Sequence, residues 1–321
     1  AAAMLAWGRF WQERIGVKLE FRANELIAAG AAGGLAAAFN TPLAGVVFAI
    51  EELGRGAAVR WNRLALSGVL ASGFIALAIA GNNPYFHAAA AAGFAQGSWG
   101  WTLASGVLNG AMGGLFAATM VRGVTGLAPA RWRPWLQRHP VRVAFLCGLV
   151  VAVLGCLTGG DTYGTGYEQT AALLNGHPVE SAWFGIAKWV ATVASYVCGI
   201  PGGIFTPSLA IGAGMGEHIV QLAGPAADPR TLALVSMAAF LAAATQAPIT
   251  ASVIVMEMTR SQDLMFHLLM ATLVASLVSR QFCPRPFYHA MALRFHKEVM
   301  HPHHRPSAGP ASAAPPSGAQ M

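Results

Sequence analysis

The chain has 321 residues, 55% of them hydrophobic and only 10% charged, with a mean hydropathy of +0.51. Soluble domains carry roughly 25% charged residues, so a soluble core is excluded and a bundle of membrane spans of about 20 residues each is predicted. The net charge of +7 does not point to nucleic acid, because 17 of the 20 Lys and Arg fall at 9–22, 54–63, 122–142 and 280–305, and none at 81–98 or 158–180.

That distribution is the positive-inside pattern. It places the four basic stretches, and with them the C-terminus, on the cytoplasmic side of a cell (inner) membrane. Taken in order, residues 1–22 are amphipathic and basic. Residues 25–53 form two apolar pieces broken at Asn40-Thr-Pro42. Small residues in the first piece (Gly30, Gly33, Gly34, Ala36 to Ala38) permit close helix approach. Spans follow at about 64–81 and 100–121, and residues 64–121 contain no Asp, Glu, Lys or Arg. The Arg/Trp/Pro segment 122–142 is predicted to lie at the interface, with Trp132 and Trp135 at headgroup depth. A span at 143–157 leads into a glycine-rich outer loop, Gly159 to Tyr167. Lys188, at the head of the next span (182–198), is expected to snorkel to the surface. Spans at 208–224, 231–256 and 262–283 complete a transmembrane domain placed at 1–297. Residues 298–321 are rich in Pro, Ser, Ala and His and are expected to form a disordered cytoplasmic tail.

No metal site or cofactor is predicted. His301, His303 and His304 read as part of the solvated tail. Cys147, Cys156, Cys198 and Cys283 lack metal spacing and read as free core thiols. An intramembrane enzyme is not favoured: the sequence has no His-x-x-x-His, no Gly-x-Ser-x-Gly and no intramembrane Asp pair.

The stretch Gly199-Ile-Pro-Gly-Gly-Ile-Phe-Thr-Pro207 interrupts the apolar pattern at membrane depth. Its glycines and prolines cannot continue a helix. In hydrocarbon such a break survives only where protein or a polar cavity satisfies the backbone. A helix is predicted to restart just after it, with unsatisfied N–H groups and roughly half a positive charge at its head, a natural place for an anion. Gly212, Gly214 and Gly216 follow no soluble strand and read as helix packing, not as a nucleotide loop.

The chain also repeats itself. Leu35 to Glu51 resembles Leu241 to Glu257 at a constant offset, Pro42 matching Pro248 and Glu51 matching Glu257. The flanking charges differ in sidedness, so the copies are predicted to run in opposite directions. The fold class is therefore an all-α membrane protein, an inverted-repeat bundle of tilted and broken helices with its substrate between the repeats. At that offset the partner of residues 199–207 would fall upstream of residue 1, so the first part of the first repeat is expected to be missing.

These residues resemble the CLC family of chloride channels and chloride/proton antiporters. Gly203-Ile-Phe-Thr-Pro207 is similar to the family's GxFxP motif. Gly30 to Glu52 is similar to the helix pair before the family's internal glutamate. Gly164-Thr-Gly-Tyr-Glu168, Ala247 to Ala251, Glu257-Met-Thr259 and Pro286-Phe-Tyr288 also fit, and the match runs to about residue 297.

The resemblance implies a chloride site formed by Gly203, Ile204, Phe205, Thr206, Pro207 and Tyr288, with the amides of Ile204 and Phe205 and the Tyr288 hydroxyl as donors. It implies proton transfer through Glu52, chloride and protons as cargo, no cofactor, and a homodimer. Such a ligand set suits passage, since an anion must be held weakly enough to leave. Glu51 is assigned to support. Glu257 is expected to be structural, pairing locally or capping. Chloride/proton antiport is the expected function, with a passive chloride channel as the alternative. The family's pore-serine (GSGIP) and gating-glutamate (GxEGP) segments would lie before residue 1. The chain is accordingly identified as an N-terminally incomplete prokaryotic member, with a non-transporting fragment as a further alternative.

Overall fold

Proline opens many of the helices. Its fixed φ and missing N–H suit the first helical turn, where an amide has no intrahelical partner. Pro42, Pro140, Pro229 and Pro248 each stand at such a start. The computed structural model describes residues 23–55, 63–87, 99–199, 202–224 and 228–300, with single positions at 6, 10 and 14.

Among the described residues there is no strand. The helices are α1 (Ala23–Phe39), α2 (Pro42–Glu51), α3 (Arg63–Ala80), α4 (Trp99–Leu127), α5 (Arg133–Arg138), α6 (Pro140–Leu157), α7 (Tyr167–Leu174), α8 (Phe184–Val197), α9 (Phe205–Ala223), α10 (Pro229–Thr245), α11 (Pro248–Thr259), α12 (Met265–Phe282) and α13 (Phe287–Met300). Single 3-10 turns occupy Leu53–Arg55 and Gln262–Leu264.

Three stretches among the described residues are long and apolar enough to cross a bilayer: Trp99–Val124, Pro140–Leu157 and Gln262–Leu293. Several other apolar helices are shorter, and breaks separate α1 from α2 and α10 from α11. The break at Asn40 to Pro42 was legible. A second one corrects the expected span 231–256: α10 stops at Thr245, Gln246 turns left-handed (φ 59), and α11 restarts at Pro248. A helix cannot run through Pro248 without losing a backbone bond and meeting its ring. The segment 122–142 begins at a kink in α4, where Gly123 has φ 61. At the other end, α13 continues past residue 298 to Met300, and residues 301–321, including the three tail histidines, lie outside the described residues. The amphipathic reading of 1–22 also falls largely outside them. Of the four free cysteines only Cys283 is buried; Cys156 is exposed on α6, so the expectation of core thiols holds for one.

The centre of the bundle is α10. Every residue from Thr231 to Thr245 is buried, as a helix apolar on all sides requires. It packs against α4, α9, α11 and α12. Small residues let backbones touch: a Cβ built on Gly212 would lie 2.6 Å from the Ser236 carbonyl oxygen, and one on Gly214 would lie 2.6 Å from Gly185 Cα. α8, α9 and α10 therefore stack almost backbone to backbone. At the periphery, α6 turns Val141, Phe145 and Leu157 outward, a surface that hydrocarbon can cover.

The two repeat copies fold alike. α1–α2–α3 and α10–α11–α12 are each a long helix, a left-handed residue, a short helix and a further span. Asn40 (φ 56) and Gln246 occupy the left-handed positions. Each turns its amide onto a carbonyl beyond the third helix of its copy. Asn40 Nδ2 donates to Gly81 O (3.0 Å) and Asn83 O (2.8 Å), and Gln246 Nε2 donates to Cys283 O. α2 and α11 pack against each other. The Glu51 carboxylate, at the C-terminal end of α2, accepts from the first amides of α11, while Glu257, near the end of α11, accepts from the first amides of α2. The copies therefore run antiparallel, as an inverted repeat demands. Glu257 is a cap, but for a helix in the other copy.

Candidate functional site

The chain leaves α8 through Cys198 and Gly199, the latter at φ 89. Residues 200 and 201 lie outside the described residues. The chain enters α9 at Phe205, with Ile204 in the cap position making no side-chain cap bond. The first turn of a helix has amides without intrahelical acceptors. Pro207 supplies no N–H, and the next amide, that of Ser208, donates to the Ile204 carbonyl at 3.0 Å. The amides of Ile204, Phe205 and Thr206 thus stand at the head of α9. The approach is open: no atom lies within 4 Å of where a Cβ on Gly202 or Gly203 would stand.

Ile204 is buried in a cluster with Phe116, Ile211, Met215, Phe240 and Phe287. Tyr288, the second residue of α13, packs against the same cluster. Its ring centroid lies 6.3 Å from that of Phe205, with the planes 27° apart. Phe205 also meets Phe48 of α2 at 5.9 Å and Phe39 of α1 at 6.1 Å. Glu52 follows α2, is 7% exposed, and donates its amide to the Phe48 carbonyl at 3.0 Å. Its carboxylate is close enough to Tyr288 to interact with it electrostatically. The stretches around 52, 203–207 and 288 therefore converge on the Phe205 ring.

One residue the sequence reading sent outward turns in. Lys188, expected to snorkel, is 2% exposed. Its Nζ donates to the carbonyls of Thr162 (2.8 Å), Tyr163 (3.3 Å) and Gly164 (2.8 Å). The glycine-rich loop makes this possible, since Gly164 (φ 59) and Gly166 (φ 82) adopt left-handed turns that other residues resist. An ammonium has three donors, and at membrane depth it persists only when they are met. A cavity of about 230 Å³ connects this lysine to the head of α9, lined among others by Tyr163, Lys188, Thr192, Gly203, Ile204 and Pro207.

The arrangement has a definite chemistry. The helix head contributes roughly half a positive charge and free-standing donors. Tyr288 contributes a hydroxyl. Lys188 adds a whole charge whose donors are already engaged, so it can attract an anion without gripping it. Glu52 adds a carboxylate near Tyr288, a group that can carry a proton. Among the described residues no three His, Cys, Asp or Glu side chains converge as metal ligands would.

An inverted pair of broken-helix repeats is the architecture of an inverted-repeat membrane protein. Comparison with known proteins gives the family: the model for the voltage gated chloride channel family matches residues 1–280, and the chain belongs to that family, the CLC proteins. It is 33% identical over 262 residues to the voltage-gated ClC-type chloride channel ClcB of Citrobacter koseri, covering 79% of this chain and 61% of that one. It is 30% identical over 283 residues to the H(+)/Cl(−) exchange transporter ClcA of Klebsiella pneumoniae, covering 84% and 59%. The chain thus spans about three fifths of the length of these relatives. Among solved structures, a CLC-type fluoride/proton antiporter matches with a TM-score of 0.67 at 24% identity, covering 84% of this chain and 67% of that one. A slow cyanobacterial Cl−/H+ antiporter matches with a TM-score of 0.60 at 24% identity, covering 90% and 68%. Both share the fold.

Proposed function

We propose that the protein moves chloride across the membrane in exchange for protons. Chloride is held by the amides at the head of α9, in the stretch Gly203, Ile204, Phe205, Thr206 and Pro207, together with the Tyr288 hydroxyl. Glu52 carries the proton. The observation that supports this most is the meeting of three sequence-distant stretches around Phe205: a helix head, a phenol and a buried carboxylate. An anion path alone has no need of the carboxylate; a coupled exchange does. The reading is of a transporter rather than an enzyme, with chloride as cargo and no cofactor. The proposed setting is a homodimer in the inner membrane with the C-terminus cytoplasmic, in keeping with the basic stretches at 122–142 and 280–305.

The test is flux in liposomes made with the full-length gene product. An imposed chloride gradient should drive protons uphill, and Glu52→Gln should abolish the proton movement while chloride still moves. Proton coupling that survives Glu52→Gln would contradict the role given to that residue. The similarity to a relative named as a channel favours one second reading, passive chloride conduction. Chloride flux with no proton movement in the unaltered protein would establish it.

A further inference from the structure

We infer that Glu257, on α11, is a positioning residue for Glu52, acting through a reciprocal pair of helix caps that locks α2 to α11. The inference rests on the proton-transfer role proposed for Glu52.

Neither α2 nor α11 is capped by its own N-cap residue: Thr41 and Ala247 make no side-chain cap bond. Each cap comes from the opposite repeat. Leu43 N–H donates to Glu257 Oε1 at 3.2 Å and Ala44 N–H to Oε2 at 2.7 Å. Ile249 N–H donates to Glu51 Oε1 at 3.2 Å and Thr250 N–H to Oε2 at 2.6 Å. Both oxygens of both carboxylates are engaged, and these four donors are all backbone. A carboxylate at a helix head gains from the dipole and from charge-assisted bonds together. Because the bonds run to main chain at both ends, α2 cannot slide or tilt along α11 without breaking them.

This clamp is joined directly to the site. Glu51 closes it at one end of α2, and the next residue is Glu52, whose amide is tied to the Phe48 carbonyl at 3.0 Å. Phe48 in turn meets the Phe205 ring at 5.9 Å. Glu257 holds the far end of the same ten-residue helix. Its influence on Glu52 therefore travels along α2, about 15 Å at 1.5 Å per residue. A shift of that helix moves the Glu52 carboxylate relative to Tyr288. The amides that face the anion belong to a different helix, α9.

The test compares proton and chloride fluxes in the same liposomes for Glu257→Gln, Glu257→Asp and Glu52→Gln. Glutamine offers one carbonyl acceptor, and its NH2 opposes an N–H, so one of the two bonds to α2 is lost. A misplacement of about 1 Å in a proton-transfer group has large rate consequences, and the proton-to-chloride ratio in Glu257→Gln should fall by about tenfold while chloride flux stays within about twofold. Glu257→Asp keeps the charge and should fall between the two. If Glu257→Gln does not fold, Glu257→Asp carries the comparison with a reduced ratio expected. An unchanged ratio in the Glu257 variants, with Glu52→Gln uncoupled, overturns the inference alone. Equal loss of both fluxes also overturns it, as it would mark a merely structural cap. Coupling retained in Glu52→Gln would instead overturn the functional reading beneath it.

Discussion

Lys188→Met removes a buried ammonium and keeps most of its bulk. Two of its bonds, at 2.8 Å, are full hydrogen bonds, and the third, at 3.3 Å, is weak. Bonds to charged groups contribute about 1.5–3 kcal/mol each, so the two strong ones represent roughly 3–6 kcal/mol. Two effects offset this. The variant no longer keeps an ammonium out of water, and the cavity of about 230 Å³ beside it can admit water to the stranded carbonyls. The expected net loss is about 2–4 kcal/mol, below the gross value of the two bonds. It should appear as a lower melting temperature in detergent. Halide affinity should fall too, because a whole positive charge disappears from beside the head of α9. Lys188→Arg should not restore the melting temperature, because its planar fork cannot aim three donors at carbonyls converging on one point, while its charge should return part of the halide affinity. A Lys188→Met protein with the melting temperature and halide affinity of the unaltered one would refute this account of the glycine-rich loop.

Two other substitutions probe the packing and the ligand set. In Gly214→Ala the new Cβ would stand 2.6 Å from Gly185 Cα, a backbone atom that cannot rotate away. α8 and α9 must separate, at a cost of about 1–3 kcal/mol, readable by thermal melting in detergent. Tyr288→Phe keeps the ring against Phe205 and removes only the hydroxyl. Losing one hydrogen bond to an anion, about 1.5–3 kcal/mol, should weaken halide binding by about ten- to a hundredfold in calorimetry, with melting little changed.

Much of this was legible in the sequence because it is written in local patterns. The break at Asn40 to Pro42 and the head of α9 announce themselves through Gly and Pro, and the glycines of α9 pack helices as their spacing suggests. The inverted repeat followed from matching Pro42 with Pro248 and Glu51 with Glu257. The break at Gln246 was hidden from hydropathy, since one amide residue and one proline barely lower an apolar average. The repeat carried it all the same, because Gln246-Ala-Pro248 aligns with Asn40-Thr-Pro42. Lys188 misled for a different reason. Its acceptors are main-chain carbonyls 24 to 26 residues earlier, and these have no side-chain signature. The crossed caps of Glu51 and Glu257 span about 200 residues and have no local pattern. Tyr288 was placed beside Phe205 by family resemblance, since nothing in its own neighbourhood points there.

The account depends on an anion held by main-chain amides at the start of α9. Bromide replaces chloride and scatters anomalously, so crystals of the full-length gene product grown in bromide test the claim directly. The account predicts an anomalous peak within hydrogen-bonding reach of the Ile204 and Phe205 amides and the Tyr288 hydroxyl. Bromide peaks elsewhere in the protein, with none at the head of α9, would contradict it.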